Sequence, residues 1–290
     1  MPTHPSRYRP DAEPDYSHRF HAGNVGDVWK HCALVALLDR LAASGRRTAF
    51  LDTHAGEGRY RLGPTGEWTE GIGRLWSASG EDDGAVARYL AVCRSLVPAS
   101  DRPRWYPGSP RFARAALGAD APLLLWERDP AACERLRADT AGDPRVRVVC
   151  GDGLAGLAAS TAAAEANADA VLVLIDPPYV QKAEWMEVTD ALAAAARRTR
   201  SACLALWYPV KSLTRPNAMM ARLEAAGVSA ALAELVTTPL AHQRRRLNGS
   251  GLVLVRPPES ALGAIAAAAP ALGARLATRG AAWSMRLVSW

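Results

Sequence analysis

At 290 residues, 49% hydrophobic and 22% charged, the chain has the make-up of an ordinary folded protein, with one sizeable core and room for a small appended unit. That excludes disordered and fibrous classes, and no apolar stretch reaches the roughly 18 residues that a membrane-crossing helix requires. The net charge of +6 suits a polyanionic partner, although only Lys30, Lys182 and Lys211 among the 35 basic residues are lysines, so part of the arginine content reflects Arg standing in for Lys.

Residues 1–15 lack the apolar centre of a signal peptide and read as a polar extension. The first regular element is a helix over Val25–Ala43, with Val28, Cys32, Val35, Leu38 and Leu41 at helical spacing and Gly45 as its stop. A strand, Thr48–Asp52, leads into the turn Thr53-His54-Ala55-Gly56-Glu57-Gly58, where the two glycines supply the freedom in φ for a tight bend beside a ligand. This is not the G-x-G-x-x-G dinucleotide fingerprint, because His54-Ala55 stand where a first glycine is expected.

Between Gly58 and Pro107 no strand is predicted, only two short amphipathic helices near residues 69–77 and 84–97. A connection of about fifty residues is far longer than the usual few. Residues 59–106 are therefore read as an inserted helical subdomain, and 16–58 with 107–290 as the main domain. The main domain resumes at Pro107-Gly108-Ser109-Pro110, with Ser109 predicted as an N-cap and Pro110 as the first helical residue.

Further strands are predicted at 122–127, 145–150, 170–176, 202–207, 231–237 and 252–256, and helices at 130–139, 153–166, 184–198 and 213–226. Alternation of this kind makes an α/β protein built on a Rossmann-like, doubly wound parallel sheet.

Chemistry-bearing residues recur at the carboxyl ends of these strands, where open α/β sheets place their ligands. Glu127 is positioned to accept both hydroxyls of a ribose, or simply to solvate a strand end. Asp152-Gly153 offers a carboxylate for an adenine amino group and a bare backbone beside the ring, while Asp152 is equally suited to cap the following helix. Asp176-Pro177-Pro178-Tyr179 follows the apolar run 170–175. There the Asp176 carboxylate and the Pro177 carbonyl can accept the two N–H groups of an exocyclic amine while Tyr179 stacks on the base. Such a grip draws the amine's lone pair out of conjugation and aims it at an electrophile. The bland alternative is a Pro-rich turn capped by Asp.

The five cysteines, at 32, 93, 133, 150 and 203, form no C-x-x-C pair and read as reduced, mostly buried thiols. His18, His21, His31 and His54 come from different elements without compact ligand spacing, so no metal site is expected. Two arginine-rich runs, 197–200 and His242-Gln243-Arg244-Arg245-Arg246, are candidates for phosphate contact, the second more than the first.

Several motifs in order resemble the RlmJ family of 23S ribosomal RNA adenine-N6 methyltransferases. They are Tyr16-Ser17-His18-Arg19-Phe20-His21-Ala22-Gly23-Asn24, Asp27-Val28, Lys30-His31, Leu51-Asp52-Thr53-His54-Ala55-Gly56, Tyr106-Pro107-Gly108-Ser109-Pro110, Asp152-Gly153, Asp176-Pro177-Pro178-Tyr179 and Ala205-Leu206-Trp207-Tyr208-Pro209. The resemblance implies a class I methyltransferase fold with an inserted helical subdomain, using S-adenosylmethionine. It also implies that His31, His54, Ser109, Glu127, Asp152, Gly153 and Asp176 contact the cofactor. Asp176 would handle the amine protons, and Tyr16 and Lys30 would lie near the RNA. The order Ser17-His18-Arg19 departs from the family pattern and leaves open which of His18 and Arg19 meets RNA. A cytoplasmic monomer acting on 23S ribosomal RNA, with no metal and no membrane attachment, is the expectation. The rivals are a guanine-N2 or DNA adenine enzyme with a similar tetrad, and an inactive RNA-binding or cofactor-binding module.

Overall fold

The run Ala170–Ile175 is buried along its whole length, and its alternate side chains enter two separate clusters. Leu172 and Leu174 face one, while Val171, Val173 and Ile175 face the other. A strand with no solvent face must be covered by helices on both sides. That is the arrangement in the computed structural model, which describes residues 18–77, 84–97, 100–241, 247–278 and 280–290. The extension at 1–15, Tyr16 and the run at 242–246 lie outside the described residues.

In chain order the strands are β1 (Thr48–Asp52), β2 (Arg59–Arg61), β3 (Trp105–Pro107), β4 (Leu123–Glu127) and β5 (Val146–Cys150), then β6 (Ala170–Ile175), β7 (Cys203–Val210), β8 (Ala231–Val236), β9 (Gly249–Val255) and β10 (Ser284–Ser289). The helices are α1 (His18–His21), α2 (Val25–Ala43), α3 (Ile72–Leu75), α4 (Ala85–Ser95) and α5 (Ser109–Ala116), then α6 (Pro130–Thr140), α7 (Gly153–Glu165), α8 (Glu184–Arg198), α9 (Thr214–Ala225) and α10 (Glu259–Leu276). The main sheet has the order β10-β8-β9-β7-β6-β1-β4-β5. From β5 to β7 neighbouring strands are parallel. At the other edge β9 and β10 run against the remaining six, so the sheet is parallel-dominated rather than wholly parallel.

One face is covered by α2, α5 and α10, the other by α7, α8 and α9. Helix α2 is buried nearly all round because α4, α5 and α10 pack over it while it rests on β9. Its start is fixed reciprocally: Asn24 Oδ1 accepts from Asp27 N–H at 2.9 Å, and Asp27 Oδ2 accepts from Gly23 N–H at 2.9 Å.

Three sequence expectations are corrected here. The segment between Gly58 and Pro107 does hold strands, since β2 and β3 pair antiparallel with Tyr60 opposite Tyr106 and bring the two ends of the segment together. Inside it lie a 3-10 turn (Glu67–Thr69), α3 and α4, whose Trp68, Leu75 and Tyr89 join the same apolar cluster as α2. Ser109 does not cap α5: Gly108 occupies the cap position, and the Ser109 hydroxyl instead donates to Asp52 Oδ2 at 2.5 Å. The cysteines are not all free either. Cys133 of α6 and Cys150 of β5 form a disulfide with a Cα separation of 5.8 Å, while Cys32, Cys93 and Cys203 are buried and outside any disulfide. Among the described residues no helix is long and apolar enough to cross a membrane, and no group of three or more His, Cys, Asp or Glu side chains is arranged to hold a metal.

Candidate active site

Strand order reverses between β1 and β6, and the crevice outside their carboxyl ends is the natural ligand position of an open α/β sheet. A cavity of about 720 Å³ opens there, within the range typical of small-molecule sites. Nearly every expected site residue that the structure describes lines it: Lys30 and His31 of α2, His54, Ser109, Glu127, Asp152 with Gly153, and Asp176 with Pro177. Tyr179 is the exception.

The turn after β1 is built for close approach. Gly56 has φ of +63° and Gly58 of +78°, and a Cβ on Gly56 would sit 1.8 Å from the Tyr60 hydroxyl. That hydroxyl accepts from Glu57 N–H at 3.2 Å and holds the turn against β2. Glu127 fixes the turn from the other side. Its Oε2 accepts from Gly56 N–H at 2.9 Å and its Oε1 from Asp129 N–H at 2.8 Å. Each oxygen keeps a lone pair, so the carboxylate is oriented and still able to accept from a diol. Asp152 takes both of the roles considered for it. Through Oδ1 it caps α7, accepting from Leu154 and Ala155 N–H, while its side chain also lines the cavity. Gly153 is required by the fold itself, because a Cβ there would meet the Thr53 carbonyl oxygen at 2.4 Å.

At the centre lies a buried charge triad. Lys30, 3% exposed, donates from Nζ to Asp27 Oδ1 at 2.7 Å and to Asp176 Oδ2 at 2.5 Å. Burial alone would lower the lysine's pKa, but the Asp176 and Asp27 carboxylates outweigh it and hold the ammonium above its ordinary range. Lys30 is therefore a buried partner of Asp27 and Asp176. Only Oδ2 of Asp176 is engaged by it, leaving Oδ1 to accept from an amine in the cavity.

The two histidines are held differently. His31, also 3% exposed, shares a 2.8 Å hydrogen bond between Nδ1 and the Tyr106 hydroxyl and stacks on Phe112. Tyr89 in turn donates to Tyr106 at 3.3 Å, so residues of α4 and β3 set the ring's orientation. His54 shares a 2.8 Å hydrogen bond with Thr53 Oγ1, and burial lowers its pKa to about 4, leaving it neutral near pH 7. Between these residues Asp52 is fully buried. Burial pushes its carboxyl up to about 7 against the opposing pull of the Ser109 hydroxyl and the His54 N–H.

Tyr179 does not stand where the sequence reading put it. With φ of +52° it turns its ring onto Trp185, centroids 4.3 Å apart, and its hydroxyl donates to the Trp207 carbonyl at 2.8 Å. The rings of Tyr60, Tyr106 and Trp207 belong to residues that do line the cavity; the Trp207 ring centroid lies 5.4 Å from Lys30 Nζ, and its indole Nε1 is buried without a partner. Asp27, Asp52, Tyr60, Tyr106 and Trp207 were given no site role from sequence. The available signal was the spacing of Asp27 and Lys30, three apart on one helix face.

The switch-point crevice, its acid-lined cavity and the antiparallel return of β9 define a class I methyltransferase fold. The family model described as Ribosomal RNA large subunit methyltransferase D, RlmJ, matches residues 46–290. Ribosomal RNA large subunit methyltransferase J of Haemophilus influenzae is 36% identical over 249 residues, covering 84% of this chain and 87% of its own. The Escherichia coli protein of the same name is 36% identical over 251 residues with the same coverage. A solved structure from Legionella pneumophila superposes with a TM-score of 0.84 at 27% identity, over 93% of this chain and 98% of that one. The chain belongs to the RlmJ family of large-subunit ribosomal RNA methyltransferases.

Proposed function

We propose that this enzyme transfers a methyl group from S-adenosylmethionine to the N6 amine of an adenine in 23S ribosomal RNA. The observation that carries the reading is Asp176, set at the switch point beside Pro177, clamped by Lys30 through one oxygen and open to the cavity through the other. The cavity suits the proposed cofactor. Glu127 is oriented to take the ribose hydroxyls, Asp152 lies one strand over for the adenine amino group, and the acidic lining favours a ligand carrying a sulfonium and an ammonium. His31, His54 and Ser109 line the remaining part. When bound, the cofactor supplies an already activated methyl group.

The protein's own task is alignment. Asp176 Oδ1 and the Pro177 carbonyl accept the two N–H groups of the target amine, and Lys30 holds the carboxylate in place. The methylated amine gives up its proton toward Asp176. Alignment of this kind supplies roughly 7 to 11 kcal/mol of a bimolecular barrier. Trp207 offers the apolar face against which a base can lie, the part first assigned to Tyr179. A base within a duplex cannot present its amine here, so the target is unpaired or extruded, at a cost of a few kcal/mol. The acidic interior disfavours phosphates, which would instead meet cations outside it, and Lys182 and Lys211 are exposed. The resemblance adds Tyr16 to the RNA side.

The deciding experiment incubates the enzyme and S-adenosylmethionine with ribosomal RNA that lacks the modification, followed by nucleoside analysis. N6-methyladenosine supports the proposal, N2-methylguanosine replaces it with the rival base, and cofactor binding without transfer reduces the chain to a binding module.

A further inference from the structure

We infer that Cys133 and Cys150 form a reversible thiol–disulfide exchange site whose closed state holds the nucleoside end of the cavity together, an inference that rests on the cofactor reading above. The pair joins two elements that each present a cavity residue. Cys133 lies in the first turn of α6, directly after Ala131 and Ala132, which line the cavity. Cys150 ends β5 in register with Glu127, two residues before Asp152. Apart from the disulfide, the two strand ends are joined by the β4–β5 ladder and the Gly151 N–H to Glu127 carbonyl bond at 3.0 Å. Opening the bond therefore removes the covalent tie between the first turn of α6 and the strand end that leads to Asp152, leaving only the packing of α6 on β4 and β5.

Access favours exchange at one sulfur. Cys150 is exposed whereas Cys133 is fully buried. Reduction begins with a thiolate of a dithiol reagent attacking Cys150 Sγ, which forms a mixed disulfide and expels Cys133 as a thiolate that takes up a proton. The reagent's second thiolate then attacks its own bound sulfur and releases Cys150, so two electrons and two protons pass to the protein and the reagent departs as a disulfide. The other cysteines do not compete. Cys32, Cys93 and Cys203 are buried, and burial raises the Cys93 thiol well above its ordinary range and pushes Cys203 up to about 12. An enzyme of ribosomal RNA works where cellular reductants keep most thiols reduced, and a disulfide in such surroundings is typically a transient, redox-responsive one.

The test uses the full chain oxidised with glutathione disulfide. After denaturation it should show three titratable thiols, and five after dithiothreitol. Calorimetry with S-adenosylhomocysteine should give roughly three- to tenfold weaker binding to the reduced form, the cost of losing a preorganised edge. Cys150→Ser, which alters an exposed position, should match the reduced form with or without dithiothreitol. Five thiols after oxidation, or equal affinity in both states, overturns the inference and leaves the cofactor reading intact. No binding in either state overturns both.

Discussion

Lys30 Nζ lies 2.5 Å from Asp176 Oδ2, and this hydrogen bond joins α2 to the strand end that carries the tetrad. The ammonium pairs with two carboxylates at once, so the site's geometry and its stability depend on one side chain. Lys30→Ala should destabilise the fold by about 3 to 5 kcal/mol, the usual cost of leaving buried partners unpaired. It should also abolish methyl transfer. Urea denaturation checks the first outcome; an unchanged midpoint would mean that the triad is not buried as described.

Asp176→Asn keeps the size of the side chain but removes the charge that holds Lys30 and favours the protonated product amine. Most activity should disappear, with the far-ultraviolet spectrum of the protein unchanged. Wild-type turnover by this variant is the result that would sink the role given to Asp176.

Glu127→Ala removes the proposed ribose acceptor and releases the Gly56 and Asp129 N–H groups together. Binding of S-adenosylhomocysteine should weaken by roughly 1.5 to 3 kcal/mol. RNA affinity should hardly move. Calorimetry that finds equal affinities would return Glu127 to the service of the turn alone.

Asp52 and His54 should impose opposite pH dependences on stability over one window. The Asp52 pKa is raised from 3.8 to about 7, so its contribution is full below about 4 and is lost as pH climbs to 7. The His54 pKa is lowered from 6.5 to about 4, so its contribution is full above 6.5 and is lost as pH falls to 4. Asp52→Asn should consequently give a protein that gains stability from pH 4 to 7, and His54→Asn one that loses it. Thermal melts across that window read the slopes directly, and parallel curves for the two variants would contradict both assignments.

Phe20 (54% exposed) adjoins the cavity-lining His21, Lys182 lies two residues before the cavity-lining Glu184, and Lys211 is exposed, so the proposed RNA path has a ring and two cations to draw on. Lys182→Glu with Lys211→Glu should weaken RNA binding and reduce its salt slope by about one for each phosphate that is no longer neutralised. Cofactor affinity should stay constant. An unaltered slope would place the RNA path elsewhere.

Much of this was legible in the sequence because the signals were long or unambiguous. Helix α2 matches its periodic stretch end for end, since Asn24 caps it and Gly45 stops it, and the run before Asp176 announced a fully buried strand. What escaped notice had no local pattern. Strands β2 and β3 span three residues each and exist because Tyr60 and Tyr106 face one another although 46 positions apart, a pairing no window captures. Strand β10 is largely exposed on both faces, so it shows no alternation. The cysteine partners stand 17 apart and meet only because α6 folds back along β5. Tyr179 is the opposite case. Residue identity suggested stacking, but its φ of +52° and the hydroxyl bond to Trp207 point the ring inward, and backbone conformation is not written in a motif.

The hydrogen bonds that anchor α2 set the order in which the enzyme can be made. The Trp29 indole donates to the Ala233 carbonyl across 204 residues, and Ser250 donates to the Gly26 carbonyl from the strand beside it. The helix that carries Lys30 and His31 is synthesised among the first elements, yet the strands it rests on emerge among the last. Loop closure over such distances is slow. The helix therefore reaches its final seat only after β8 and β9 have been made, and Lys30 and His31 are positioned late although they are read early.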